Sequence, residues 1–327
     1  MSERIWKCPN CGAVLQPSRF AREATCAYCK ATVQIDEAAV SSQRFRDAYS
    51  RWSAPREGDG RAWFAIGGGH WTTLALLARG EIADVYLAER ARWPPERALL
   101  KVLREAADLP MLDLEWRALH ALRELGPRVP EPIARGEVEG GPRSGSQAEL
   151  LRWIPGFEHT LEDVRAAYPA GVDAHAAVWI WRRLLEALGF LHESGIVHGA
   201  VLPQHLLVEQ GEHGLRLVGF GCADRPGAPL AAVVSRYEKL YPRELLERQE
   251  LHPAHDVAMS ARCIDFVLGS AVPARLRALL DAVAAGKHAG AARELHGQLG
   301  TLARELFGPP SFHPLQMPAP RATPQPR

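Results

Sequence analysis

The order in which strand-like and helix-like patterns follow one another constrains the fold of this chain most strongly. Short segments between residues 72 and 153 alternate apolar and polar positions, whereas later segments repeat apolar residues at helical spacing. A β-rich unit followed by a helical unit is typical of an α+β protein. The predicted strands are Thr72–Leu77, Val85–Glu89, Ala98–Leu103, Glu131–Glu137 and Ala148–Trp153, and the main predicted helices are Leu109–Leu125 and Ala174–Glu193.

The turn-rich stretch at 53–60 marks the boundary between this α+β unit and the N-terminal part of the chain. The β-rich lobe is expected to end at residue 153, where the helical lobe begins. The predicted organisation is a small module at 5–35, a helix and linker at 36–60, a bilobal domain at 61–307 with lobes at 61–153 and 154–307, and a proline-rich tail at 308–327.

Four of the six cysteines form two C-x-x-C pairs. Cys8 pairs with Cys11 and Cys26 with Cys29, so that each pair places two thiolates on one tight turn. Two such turns supply the four sulfurs of a closed tetrahedral site, which predicts a structural Zn²⁺ with no free position for a catalytic water. A redox pair or an incidental cluster of cysteines is the alternative. The segment resembles a zinc ribbon.

Lys101 lies in a predicted strand whose two faces are both apolar, with Leu99 and Leu103 on its own face. An unpaired ammonium group there would be costly, so the side chain needs a carboxylate. Glu115 is equally out of place on the apolar stripe of the following helix. We therefore predict an ion pair between Lys101 and Glu115.

Two later segments give this pair a context. His198-Gly-Ala-Val-Leu-Pro-Gln-His205 follows a long apolar helix, and Leu215-Arg-Leu-Val-Gly-Phe-Gly221 comes shortly after it. In this order they resemble the catalytic loop H-R-D-L-x-x-x-N and the D-F-G segment of protein kinases. The resemblance covers residues 72–307 and implies a bilobal protein-kinase-like domain. It implies nucleotide-side roles for Gly80, Lys101 and Glu115, and structural roles for His198, Glu244 and Asp256.

The positions that carry catalysis in protein kinases are changed in this chain. Ala200 stands at the catalytic Asp, His205 at the metal-binding Asn and Gly219 at the metal-binding Asp. Loss of the general base alone costs a factor of about 10²–10⁴ in rate. We therefore expect a pseudokinase with a regulatory or scaffold role, which binds ATP weakly at most and does not use Mg²⁺.

Two alternatives stay open. The chain could be a divergent active serine/threonine kinase or another ATP-dependent phosphotransferase. It could instead be a nucleic-acid-binding adaptor that acts through the ribbon, since residues 1–56 carry nine Lys/Arg and five Asp/Glu.

Composition gives weaker guidance on partners and location. The formal net charge of +1 provides no strong field for nucleic acid or an acidic membrane. No apolar run approaches the roughly 20 residues that cross a bilayer, and the first residues lack the apolar core of a secretion signal. We expect a cytoplasmic protein with protein partners and no membrane contact.

Overall fold

The computed structural model describes residues 6–8, 13–15, 23–34, 62–90, 96–123, 128–209, 213–287, 291–309 and 315–317. The helix and linker predicted at 36–60 lie outside these residues. So does Cys11, and so does most of the proline-rich tail.

The N-terminal module contains two short antiparallel hairpins, in which β1 pairs with β2 and β3 with β4. The strands are β1 (Trp6–Lys7), β2 (Val14–Leu15), β3 (Glu23–Thr25) and β4 (Thr32–Gln34). At the turn of each hairpin a cysteine N–H donates to an alanine carbonyl. Cys8 donates to Ala13 at 2.8 Å and Cys26 to Ala31 at 2.8 Å. Both hairpins therefore carry a cysteine where the chain reverses.

Six antiparallel strands and one helix form the N-lobe. The strand order in the sheet is β5-β6-β7-β8-β10-β9. The elements are β5 (Trp63–Ile66), β6 (Gly69–Arg79), β7 (Ala83–Arg90), β8 (Glu96–Leu103), α1 (Leu109–Ala121), β9 (Pro132–Glu137) and β10 (Gln147–Arg152). The helix ends before the predicted Leu125, and β5 is not among the predicted strands.

A second hydrophobic cluster lies on the sheet face opposite to the one that carries Lys101. Phe64 of the edge strand β5 and Trp71 of β6 pack there with Leu100 and Val102. A cavity of about 230 Å³ lies on this face, between the β5–β6 hairpin and the turn at 140–143. This cluster explains why both faces of β8 are apolar in sequence.

The C-lobe is helical, with a small three-stranded sheet at its upper edge. The helices are α2 (Leu161–Ala167), α3 (Ala174–Glu193), α4 (Arg243–Arg248), α5 (Pro253–Val267), α6 (Ala274–Ala284) and α7 (Ala292–Phe307), and the strands are β11 (His159–Thr160), β12 (Leu206–Glu209) and β13 (Gly214–Leu217). In the part of the chain that the structure describes, none of the helices has the length and apolarity to cross a membrane.

Helix α3 spans the predicted residues and forms the centre of the C-lobe core. It begins after Asp173, whose carboxylate accepts the Ala176 N–H at 2.9 Å and so caps the helix. Trp181 is fully buried, and its indole N–H donates to the Ser260 hydroxyl on α5 at 3.0 Å. This contact fixes α3 against α5, which positions the loop that follows α3.

Part of the predicted tail packs on the C-lobe. Leu315 is buried in the C-lobe core. The Tyr168 hydroxyl donates to the Gln316 carbonyl at 2.9 Å and accepts the Gln316 N–H at 3.1 Å. Residues 315–317 are thus held by side chains of the C-lobe.

Candidate functional site

The ion pair predicted from the sequence is present at the centre of the cleft between the lobes. The Lys101 ammonium on β8 donates to the Glu115 carboxylate on α1. Exposed fractions are 13% for the lysine side chain and 2% for the glutamate side chain. Burial lowers the pKa of Lys101, but the carboxylates of Glu115 and Glu149 outweigh it and the pKa is raised. The lysine therefore stays charged.

Glu149 is a third ionisable group in this corner, and the sequence analysis missed it. It lies on β10 directly opposite Lys101 in the ladder and is completely buried. No hydrogen-bond donor among the described residues reaches either of its carboxylate oxygens. Burial, and then the negative charge of Glu115, raise the pKa of Glu149 well above its usual range. Glu149 therefore binds a proton more readily than an exposed glutamate does.

The loop after α3 is held by one buried carboxylate. Asp256 on α5 accepts the backbone N–H of His198 at 2.8 Å and that of Gly199 at 2.9 Å. His192, at the end of α3, makes a third hydrogen bond to Asp256 through Nε2 at 2.9 Å. Burial acts to raise the pKa of Asp256, but these partners outweigh it and the pKa is lowered. An ionised Asp256 thus fixes the backbone on which Ala200 sits.

The His198 imidazole is a neutral packing group. Its Nε2 lies 3.1 Å from the Val218 carbonyl and donates to it, while Nδ1 accepts the Ala200 N–H at 3.3 Å. Burial lowers the pKa of His198 to about 4. The ring links the loop to the segment before Gly219. It stays uncharged near neutral pH and keeps the Nε2–H that it donates to Val218.

His205 and Gly219 are in direct contact. The His205 Nδ1–H donates to the Ala200 carbonyl at 2.8 Å, which orients the ring towards Gly219. Gly219 has φ 79° and ψ 51°, in the left-handed region. A Cβ atom at this position would lie 2.5 Å from Cδ2 of the His205 ring. The imidazole therefore occupies the space that a side chain at 219 would need.

Hydrogen bonds between the lobes close the mouth of the cleft. The Arg104 guanidinium donates to the carbonyls of Gly80 and Glu81, which fixes the turn between β6 and β7. The Gln204 amide donates to the Glu81 carboxylate at 3.1 Å, and its oxygen accepts from Arg236 at 2.5 Å. The turn at Gly80 is thereby joined to the loop at 198–205.

Glu244 does not have the structural role that the sequence predicts. Its side chain is 59% exposed and pairs with Arg248 one turn along α4, at 3.3 Å. Exposed pairs at this spacing contribute about 0.3–0.5 kcal/mol. The chain just before α4 is instead held by Tyr241, which is buried and whose hydroxyl accepts the Val234 N–H at 3.2 Å.

Three of the four predicted metal ligands come together in the N-terminal module. The sulfurs of Cys8, Cys26 and Cys29 lie within 4.8 Å of one another and are all buried. The Cys8 and Cys29 sulfurs are 3.6 Å apart, too far for a disulfide. Tetrahedral zinc with 2.3 Å bonds separates its sulfurs by about 3.8 Å. The described cysteines could therefore hold a metal ion, and the fourth predicted ligand, Cys11, lies outside the described residues.

Solved structures with the same arrangement of lobes include kinase domains from two organisms. A double mutant of the PknI kinase domain of Mycobacterium tuberculosis matches 73% of this chain and 97% of its own length, with 20% identity and a TM-score of 0.56. The chain has a protein-kinase-like fold. A rhoptry kinase from Toxoplasma gondii matches 76% of this chain and 85% of its own length, with 15% identity and a TM-score of 0.56.

Sequence comparisons point to the same fold. Residues 97–220 match the lipopolysaccharide kinase (Kdo/WaaP) family. Serine/threonine-protein kinase F of Synechocystis is 25% identical over 62% of this chain and 44% of its own length. PknF of Mycobacterium tuberculosis is 27% identical over 61% of this chain and 43% of its own length. The match thus spans less than half of these curated relatives.

The protein-kinase-like fold confirms the predicted fold class. In protein kinases the general base and the two metal ligands project into the cleft beneath the glycine loop. The sequence resemblance predicts Ala200, His205 and Gly219 at these positions, and His205 is close enough to Lys101 and Glu115 for their charges to act on its ring. Ala200 is 1% exposed and carries no ionisable group.

Proposed function

We propose that this chain is a pseudokinase, a protein-kinase-like protein impaired in phosphoryl transfer that acts by binding other proteins. The contact between His205 and Gly219 supports this proposal most directly, because an imidazole fills the corner where the fold would otherwise hold metal ligands. The place of the base is taken by the methyl group of Ala200. A site without base and metal ligands retains the shape of a kinase cleft but lacks its chemistry.

The local chemistry disfavours magnesium in this corner. Mg²⁺ prefers oxygen ligands in near-octahedral geometry, whereas His205 offers one ring nitrogen. That nitrogen already lies 3.2 Å from the amide nitrogen of Gln204. Burial lowers the pKa of His205, so the ring is neutral and brings no compensating positive charge to a phosphate.

Nucleotide binding, if retained, would be weak and independent of metal. Lys101 is the cation that would face the phosphates, and its pair with Glu115 is the part of a nucleotide site that this cleft retains. The buried Glu149 adds a second acid next to the same ammonium. The bond between Glu81 and Gln204 must also open before a nucleotide enters. These features support a cleft that stays closed in the absence of ATP.

Thermal unfolding of the full chain with ATP tests the proposal, with and without Mg²⁺. A ligand present at its own Kd stabilises by about 0.4 kcal/mol, so we expect a small shift of Tm that does not depend on Mg²⁺. Lys101→Met should remove it, while Lys239→Met, which changes an exposed lysine, should not. A large Mg²⁺-dependent shift that is lost in Lys101→Met would contradict the proposal.

A divergent active phosphotransferase is the second candidate. It is favoured by the retained Lys101–Glu115 pair and by the match of residues 97–220 to a family named for lipopolysaccharide kinases. The acceptor would be a protein hydroxyl, as the names of the serine/threonine kinase relatives suggest, or a lipopolysaccharide. Transfer of radiolabel from ATP to either acceptor, abolished by Lys101→Met, would establish this candidate. No transfer with Mg²⁺ or Mn²⁺ would eliminate it.

For the N-terminal module the proposal is a structural Zn²⁺ bound by Cys8, Cys11, Cys26 and Cys29. The buried cluster of three sulfurs supports it. Ligation would supply most of the folding free energy of so small a module. The proposed setting is the cytoplasm, where thiols stay reduced. One zinc per chain by elemental analysis is the expected result.

A further inference from the structure

The second C-x-x-C turn of the ribbon packs against the C-lobe through an aromatic residue. Tyr28 lies between Cys26 and Cys29, and its ring stacks on Phe190 of α3 with centroids 5.3 Å apart. The Arg293 guanidinium on α7 lies 4.8 Å from the Tyr28 ring centroid and 5.1 Å from that of Phe190. The three groups therefore form a triangular cluster at the surface, in which Tyr28 remains 40% exposed.

The surface that receives Tyr28 is strongly basic. Five arginines lie in this region, and three of them pair with a glutamate: Arg128 and Arg183 with Glu186, and Arg293 with Glu193. The arginines are Arg128, Arg182, Arg183, Arg293 and Arg304. We call this surface the arginine face of α3 and α7. The acids neutralise only part of its charge.

Arg182 is the member of this face with the weakest compensation. It is more than half buried, contacts His296 at 3.4 Å, and its Nε has no hydrogen-bond partner among the described residues. Burial and the neighbouring Arg183 lower the pKa of Arg182, whereas Glu186 and the sulfur of Cys29 oppose them. The cysteine is thus close enough for its charge to act on this guanidinium.

We infer that the arginine face is the docking surface for the metal-loaded second turn of the ribbon, so that metal binding in the ribbon and order in the C-lobe are coupled. The inference rests on the proposed zinc site. Four thiolates around one Zn²⁺ would carry a net charge of about −2, opposite in sign to the Arg182 guanidinium, on which the sulfur of Cys29 already acts. Loss of the metal removes this charge and the fold that holds Tyr28 in place.

The end of α3 connects the ribbon contact to the cleft. Phe190, on which Tyr28 stacks, is two residues before His192 on the same helix. His192 holds Asp256, and Asp256 holds the backbone of the loop at 198–199. The end of α3 therefore carries both the ribbon contact and the support of the loop that contains Ala200.

The arrangement also bears on the nucleic-acid alternative. Arginines that face the ribbon are occupied by Tyr28, Glu186 and Glu193. In the docked state this surface is unavailable to a phosphate backbone. The Lys and Arg residues of the N-terminal region itself, at 1–56, remain the basic candidates for nucleic-acid binding.

Hydrogen–deuterium exchange on the full chain tests the inference, with zinc bound and after chelation. Zinc content is measured first. We expect chelation to speed exchange about tenfold at the end of α3 and the beginning of α7, and not only in the ribbon. Strands β6 and β7 in the N-lobe should not change.

Two variants separate docking from metal binding. Tyr28→Ala and Arg182→Gln should both retain one zinc per chain, yet the zinc-dependent difference in exchange at α3 and α7 should be lost. Tyr28→Phe retains the aromatic ring and Arg243→Gln changes an exposed arginine on α4, so both should behave as the wild type.

Each outcome has a defined meaning. A chain that binds no zinc overturns the proposed site and the inference together. A chain that binds zinc but shows chelation effects confined to residues 6–34 overturns the docking inference alone. The same holds if Tyr28→Ala retains zinc and the full zinc-dependent protection of α3.

Discussion

Two corners of the same cleft differ in the ionisable side chains that they contain. The corner beneath the N-lobe sheet retains the Lys101–Glu115 pair and contains an additional buried acid, Glu149. The corner beneath the loop at 198–205 has no carboxylate at Ala200, His205 or Gly219, and a histidine ring fills the space. The first arrangement joins α1 to the sheet within the N-lobe, whereas the second packs a ring against a glycine. The comparison teaches that the ion pair that fixes α1 on the N-lobe sheet does not depend on carboxylates in the neighbouring corner.

The largest effect is expected from putting a carboxylate back at position 219. Gly219→Asp should destabilise the protein by roughly 2–5 kcal/mol in urea unfolding, since left-handed backbone strain adds to overpacking against His205. Gly227→Asp is the matched control, because Gly227 has φ 80° with open space around its Cβ position. The Gly227→Asp variant should lose only the free energy of the left-handed backbone strain, about 1–2 kcal/mol.

A second change sharpens this test. Adding His205→Asn to Gly219→Asp removes the ring, so part of the lost stability should return while the strain remains. If Gly219→Asp alone destabilises the protein no more than Gly227→Asp does, the space beside His205 is open to a side chain. The contrast between the two corners of the cleft would then disappear.

An intermediate effect is expected from Glu149, and it depends on pH. The pKa of Glu149 is raised in the folded state above its ordinary value of 4.5, so the folded protein binds more protons than the unfolded chain above that pH. Stability should therefore fall as pH rises from 4.5, by up to about 1.4 kcal/mol per pH unit. Glu149→Gln should remove this slope and stabilise the protein at pH 8.

The control for this prediction is Glu105→Gln, which changes an exposed glutamate and should leave the pH dependence intact. Urea unfolding at pH 5, 6.5 and 8 gives the three points needed. Equal slopes in the wild type and Glu149→Gln would show that Glu149 titrates normally and that the sheet corner holds only an ordinary ion pair.

The smallest effect is expected at the mouth of the cleft. Glu81→Ala removes the acceptor for Gln204, a contact that is exposed and therefore worth at most about 1 kcal/mol. Hydrogen exchange of residues 80–83 should become about two- to fivefold faster, while Glu238→Ala, at an exposed position on the C-lobe, leaves it unchanged. Unaltered exchange in Glu81→Ala would mean that Arg104 alone fixes this turn.

The sequence predicts the fold and one corner of the site well, and for a physical reason. Lys101 and Glu115 each interrupt an apolar pattern, so each demands a buried partner of opposite charge. Glu149 carries the same signal, since it shares a strand face with Leu151. It can be overlooked because the existing pair already satisfies Lys101. The raised pKa of Glu149 follows from its neighbours and not from its own segment.

Other features depend on contacts that a single segment does not contain. The residues His205 and Gly219 meet only because β12 and β13 form a hairpin between them. Strand β5 is four residues long and has too short a pattern to be detected. Glu244 matches a motif position but lies on an exposed helix, so its spacing alone is misleading. Tyr28 looks like an ordinary exposed aromatic until α3 and α7 are in place.

The contact between His205 and Gly219 limits how this protein can change by mutation. A carboxylate at 219 meets the imidazole, and an asparagine at 205 gains nothing while glycine remains at 219. The two positions are coupled, so their effects do not add. A change at either position alone is therefore not expected to supply both oxygen ligands of a metal corner. Only the two substitutions together would offer a carboxylate and an amide there, so a metal site in this corner would require a coupled double change.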